Sequence, residues 1–150
     1  MKIGISTSVQ TGKENWDRML DLVSLGFKHI ELYNKLTRIR IADVEPLIEL
    51  KDKNGLSYSF HSMAQDLFCD DEIIAEGEIK FLIGEIRLAS MIGCSNFIFH
   101  ISKKLELTPR DKQQLSDVIG FAKKNKINLC LENNSSRSPF SGDYLMEVIN

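Results

Sequence analysis

The stretch Ile92-Gly93-Cys94-Ser95-Asn96-Phe97-Ile98-Phe99-His100-Ile101 decides how this chain folds. Before it lies a long helical pattern, from about Asp71 to Ile92, with Ile74, Phe81, Ile86, Leu88, Ala89 and Ile92 as apolar positions. Gly93 supplies the residue on which helices commonly end, because glycine enters the left-handed region without a Cβ penalty. Asn96 to Ile101 is then a short run rich in aromatic and β-branched residues, which reads as a strand. A helix, a glycine stop and an apolar strand in immediate succession form most of a βαβ unit, the element that joins parallel strands. Gly77 and Gly84 count against an unbroken helix, since each costs about 1 kcal/mol relative to alanine.

The same alternation extends in both directions. Strands are expected at Lys2 to Thr7, about Lys28 to Tyr33, Ser57 to Ser62, Asn96 to Ile101 and Asn128 to Asn133. Thr11 and Glu14 have capping-box spacing, Trp16, Met19, Leu20 and Val23 follow as a buried stripe, and Gly26 ends that helix. Asp43 is the expected N-cap of a helix with Val44, Leu47 and Ile48 inward and Asn54-Gly55 as its stop. Thr108-Pro109 opens another, whose apolar stripe is Leu115, Val118, Ile119 and Ala122. A further helix is expected from Gly142, and the apolar pattern Tyr144 to Ile149 reaches the last residues given.

Five β/α units make either a doubly wound sheet or the larger part of an eight-stranded (β/α)8 barrel. The 150 residues favour the first, because a whole barrel needs about 250. They also suit one domain, residues 1–150, with 43% hydrophobic content to fill a core. A net charge of -2 with mixed signs offers no broad positive field, so nucleic acid is not the expected partner. No apolar run has the length of a membrane span or a signal peptide, and the three cysteines lack C-x-x-C spacing. These features suggest a cytoplasmic protein with buried thiols.

In parallel α/β folds, chemistry collects at the carboxyl ends of the strands. Those ends carry Ser6-Thr7, Glu31, His61, His100 and Glu132-Asn133-Asn134 in turn. One such histidine is more often structural, but an imidazole or carboxylate on successive strands points to a shared site. His61, His100 and Glu132 are the candidate metal ligands: two imidazoles and a carboxylate suit a divalent ion (Mn, Zn, Co or Mg) and leave positions open for water or substrate. In the loop after the fifth strand, Arg137 is a candidate for a substrate phosphate and Asn133 for substrate binding; Lys103-Lys104 reads better as a solvated pair. His29 falls at the amino end of its strand, where no ligand role is expected, and Trp16 reads as core.

Gly26-Phe27-Lys28-His29-Ile30-Glu31-Leu32, Phe60-His61-Ser62, Gly93-Cys94-Ser95 through His100, and Leu131-Glu132-Asn133-Asn134 resemble, in that order and spacing, the xylose isomerase-like barrel superfamily. That superfamily includes sugar phosphate isomerases and epimerases and the endonuclease IV type of apurinic endonuclease. The resemblance runs over the whole chain and implies a partial (β/α)8 barrel of about five units. His61, His100 and Glu132 match metal-holding places of the endonuclease branch. In the isomerase branch Glu132 matches the first of four ligands and one member of the acid/base pair, hence its candidate catalytic role. The remaining ligands of that branch come from strands six to eight. Glu31 matches an acidic position where it would orient substrate or a neighbouring ligand, or form a structural ion pair.

Three functions follow as expectations. The resemblance favours a metal-dependent sugar or sugar phosphate isomerase or epimerase; a metal-dependent phosphodiesterase on abasic DNA is the second; a non-catalytic fragment or assembly module is the third. Five strands of an eight-strand barrel would also leave two unpaired edges, which implies self-association or the need for a missing C-terminal half.

Overall fold

The computed structural model describes residues 4–9, 15–65, 67–101 and 107–132. Strands β1 (Gly4–Ser6), β2 (His29–Tyr33), β3 (Ser57–His61), β4 (Asn96–Phe99) and β5 (Asn128–Leu131) alternate with helices. The helices are α1 (Asn15–Ser24), α2 (Asn34–Thr37), α3 (Val44–Asn54), α4 (Glu72–Ile92) and α5 (Pro109–Lys124). The strands form one parallel sheet in the order β1-β2-β3-β4-β5. A doubly wound sheet reverses direction partway, placing its first strand inside the order. No reversal occurs here, so the sheet is wound in one sense, as a barrel is.

All five expected strands are present, each shorter than its sequence run where both ends are described. The helix signals act as their chemistry dictates. Asp71 caps α4 by accepting from the backbone N–H groups of Ile73 and Ile74, and Gly93, at φ +78°, ends it. Thr108 and Asp111 close a reciprocal capping box at α5, with bonds of 3.2 and 2.8 Å. Gly55, also left-handed, stops α3. Thr11 and Glu14 lie outside the described residues, as do Lys103, Lys104 and the helix expected from Gly142.

Several expectations need correction. α4 runs unbroken through Gly77 and Gly84, because Ala75, Ile79, Leu82, Ile86, Ala89 and Ile92 hold it to the core. Ile74 and Phe81, two of its apolar positions, are exposed, and Leu20 of α1, expected in the buried stripe, is exposed while Leu22 is buried. In both helices apolar residues extend around more than one face, and only docking on the sheet selects which arc is covered. Asp43 makes no side-chain cap to α3; its carboxylate instead accepts from the Arg40 N–H at 2.7 Å, closing the 3-10 turn Ile41–Asp43. Of the thiols only Cys94 is fully buried, and burial pushes it up to about 12.

The sheet has two unlike faces. Ile30, Leu32, Tyr58, Phe60, Phe97 and Phe99 point to the helical side and lose essentially all exposure beneath α1, α3, α4 and α5. Phe60 and Phe97 stack with ring centroids 5.5 Å apart, and the Tyr58 hydroxyl donates to Leu47 O at 3.2 Å. The alternate positions, including His29, Glu31, Ser59 and His61, occupy the opposite, polar face, as the two-residue period of a strand requires. At the amino end of that face His29 meets Ser57 Oγ at 2.9 Å and Ser59 Oγ at 3.3 Å. A Cβ on Gly4 would come within 2.8 Å of its ring, so β1 needs a glycine there to lie flat on β2. Trp16 packs partly buried against the core, as expected. No helix among the described residues is long and apolar enough to cross a membrane.

Candidate metal centre

The polar face converges at its carboxyl end. His61 is the last residue of β3, His100 follows β4 directly, and Glu132 follows β5, its N–H bonded to Phe99 O at 3.0 Å. In the sheet register His61 pairs with Ile98, so His100 stands one pleat further along its own strand. The two side chains span that offset. His61 Nε2 lies 3.1 Å from His100 Nε2, and Glu132 Oε2 lies 3.2 Å from the first and 3.4 Å from the second.

Donors about 2.0 to 2.1 Å from a tetrahedrally coordinated ion stand about 3.3 Å from one another, which is the spacing of these three atoms. Two imidazole lone pairs and a carboxylate oxygen at such separations repel unless a proton or a cation lies among them. The donor set suits Zn²⁺, Co²⁺ or Mn²⁺. His61 is largely enclosed, with a side-chain exposure of 10%, whereas Glu132 at 45% opens toward solvent. A ligand would therefore approach from the carboxylate side.

Behind this trio sits Glu31, on β2. Its Oε1 is 3.4 Å from His61 Nδ1, the nitrogen turned away from the trio. The contact is at ion-pair distance without hydrogen-bond geometry, in the place from which a carboxylate orients the ring at metal sites. The His61 imidazole is the main influence holding the Glu31 carboxyl below the usual glutamate range; partial burial opposes it, and the Ser6 hydroxyl adds to it. The Tyr33 ring meets His61 edge-on, with centroids 4.9 Å apart and planes at 80°.

The sequence-derived candidates thus divide clearly. His61, His100 and Glu132 are brought together and Glu31 joins them through His61, while Asn133 and Arg137 lie outside the described residues. Sequence reasoning missed a second group beneath the site: Asn34, Ser62 and Glu85, all buried. Glu85 accepts from Asn34 Nδ2 at 2.6 Å, from the Ser62 hydroxyl and from the Met63 N–H at 3.3 Å. Burial pushes its carboxyl above the ordinary glutamate value despite these donors. One signal was available: Glu85 falls three residues after Leu82 and four before Ala89, inside the apolar stripe of α4, where a lone acid requires an explanation.

No protein-family model matches the chain, and no curated protein sequence matches it. Solved structures do. A D-tagatose 3-epimerase-like protein superposes with a TM-score of 0.79 at 18% identity, over 99% of this chain and 60% of that one. A xylose isomerase domain protein from Planctomyces limnophilus gives 0.73 at 14% identity, over 99% and 58%. The IolI protein, in a structure with a bound zinc atom, gives 0.68 at 12% identity, over 87% and 51%. The chain therefore shares the fold of these structures, as five parallel β/α units of a barrel, and it spans about 60% of the length of the first of them.

Proposed function

We propose that this chain is the front part of a metal-dependent sugar or sugar phosphate isomerase or epimerase. The observation that carries the reading is the approach of His61 Nε2, His100 Nε2 and Glu132 Oε2 to within 3.4 Å of each other at the open end of the sheet. The fold it shares with an epimerase-like protein supports the choice of reaction.

His61, His100 and Glu132 would hold the ion. When bound, a divalent ion polarises a carbonyl or hydroxyl oxygen of the sugar. Glu132, the most exposed of the three, carries the proton between neighbouring carbons, and a second acid on a strand beyond β5 completes the pair. Glu31 keeps the His61 ring turned so that Nε2 faces the other two donors. Asn133 and Arg137 follow Glu132 in sequence and are the candidates for gripping hydroxyl and phosphate groups of the substrate. The 150 residues act as one domain in this reading.

The test is equilibrium dialysis of the purified protein against Mn²⁺, Co²⁺ and Zn²⁺, followed by an assay for ketose interconversion in each ion. One bound ion per chain is expected, with metal-dependent interconversion only once strands carrying the second acid are supplied; failure of every ion to bind ends the proposal.

The two histidine ligands favour one competing reading, a metal-dependent phosphodiesterase on abasic DNA. The net charge of -2 weighs against it, since backbone binding draws on clustered Lys and Arg. Salt-sensitive binding of an abasic duplex with cleavage, and no turnover of sugars, would decide for it.

A further inference from the structure

Glu85 is a carboxylate on the covered face of a helix whose neighbours there are Ile79, Leu82, Ile86 and Ala89. Burying such a group is costly, and an apolar residue of similar volume is often as good or better for stability alone. Its hydrogen bonds show what it joins. Ser62 and Met63 follow His61 directly in the chain, and Asn34 follows Tyr33, whose ring edges His61. One side chain from α4 thus ties together the backbone just past β2 and just past β3.

The attachment continues on both sides. The Ser62 hydroxyl, while donating to Glu85, also accepts from the Ala64 N–H at 3.0 Å, and Ser62 N–H donates to Ile98 O at 2.9 Å. Asn34 Oδ1 accepts from the Ile39 N–H at 2.7 Å, and the Tyr33 N–H donates to buried Thr7 Oγ1 at 2.9 Å. Two turns before Glu85 on α4, Glu78 accepts from the Gln65 N–H at 3.0 Å. The segment leaving β3 is therefore held at both ends by carboxylates of one helix.

We propose that Glu85 is a positioning residue for His61: by holding Ser62, Met63 and Asn34 it sets the depth and direction at which His61 Nε2 meets His100 and Glu132. This rests on the reading of His61 as a metal ligand. Glu85 touches none of the three donors itself and acts through the backbone on either side of the His61–Tyr33 pair. A glutamine there retains the shape, but its amide nitrogen can only donate, so the Ser62 hydroxyl must turn from donor to acceptor or that tie is lost.

The experiment is Co²⁺ titration followed by visible ligand-field absorption, on wild type, Glu85→Gln, Ser62→Ala, His61→Ala and the double variant Glu85→Gln/His61→Ala. Glu85→Gln and Ser62→Ala are each expected to weaken Co²⁺ about 10-fold, the lower end of what outer partners of metal ligands contribute, and to shift the spectrum. In the His61→Ala background the Glu85 substitution should change neither. Equal loss in both backgrounds, or full affinity with an unshifted spectrum in a folded Glu85→Gln protein, overturns the proposal. Ser62→Ala serves the same comparison if Glu85→Gln does not fold. If the wild type binds no Co²⁺, the metal reading fails by itself. The role of Glu85 is then read from the imidazole NMR signals of His61: displaced signals in the variant sustain it, and unmoved signals end it.

Discussion

His61 Nε2 and His100 Nε2 face each other across 3.1 Å, from strands that place them one pleat apart in register. An N–H of one ring can bridge nitrogens this close, and with the Glu132 oxygen beside both the trio could equally hold a divalent cation.

Removing any one donor should therefore show in binding before it shows in folding. His61→Ala, His100→Ala and Glu132→Ala are each expected to lose Zn²⁺ or Co²⁺ affinity by more than about 100-fold, measured by competition with a chromophoric chelator. Saturating metal at 100 times its dissociation constant should stabilise the wild type by about 2.7 kcal/mol, and EDTA should reverse the gain. Variants that keep wild-type affinity would remove these residues from the site.

Glu31→Gln is expected to leave the fold intact and to weaken the metal by about 10 to 100-fold, because the amide replaces the charge facing His61 Nδ1. Calorimetric titration at neutral pH measures it. An unchanged dissociation constant would leave Glu31 with a structural role only.

Glu85 gives a pH dependence of definite sign. Its folded value lies above the ordinary one because of burial, so the folded chain holds its proton to higher pH than the unfolded chain does. Stability from this group is then fully present below the ordinary glutamate value and declines as pH rises through the folded value. Denaturation by urea at steps from about pH 4 to pH 8 should show wild type losing ground relative to Glu85→Gln over that range. A difference that stays flat, or that moves the other way, contradicts this assignment.

Gly77 and Gly84 sit inside α4 with ordinary helical backbone, and a Cβ at either would meet nothing within 4 Å. Alanine at each position is expected to stabilise the chain by about 0.4 to 1 kcal/mol, read as a higher urea midpoint with unchanged slope. Destabilisation would mean that this side of the helix is covered by something.

Periodicity and stop signals carried the fold a long way. The runs Lys28 to Tyr33, Ser57 to Ser62 and Asn96 to Ile101 announced strands because aromatic and β-branched residues fit a pleated surface, and Gly55 and Gly93 announced helix ends because only glycine turns left-handed without strain. Leu20 misled because a helix apolar on more than one side does not say which side will be covered; the exposed Ile74 and Phe81 of α4 show the same ambiguity. Glu85 was missed for a related reason: its partners, Asn34 and Ser62, lie 51 and 23 residues away in the chain.

By itself the sequence determined that parallel strands alternate with helices and that His61, His100 and Glu132 end successive strands, since both are matters of local spacing along the backbone. Only the tertiary structure decided that the sheet never reverses its order and that imidazoles of unequal register on β3 and just past β4 meet at 3.1 Å. It alone decided, too, that a carboxylate from α4 lies beneath them. Strand order, register and helix facing are set by how whole elements pack, and no window of neighbouring residues contains that information.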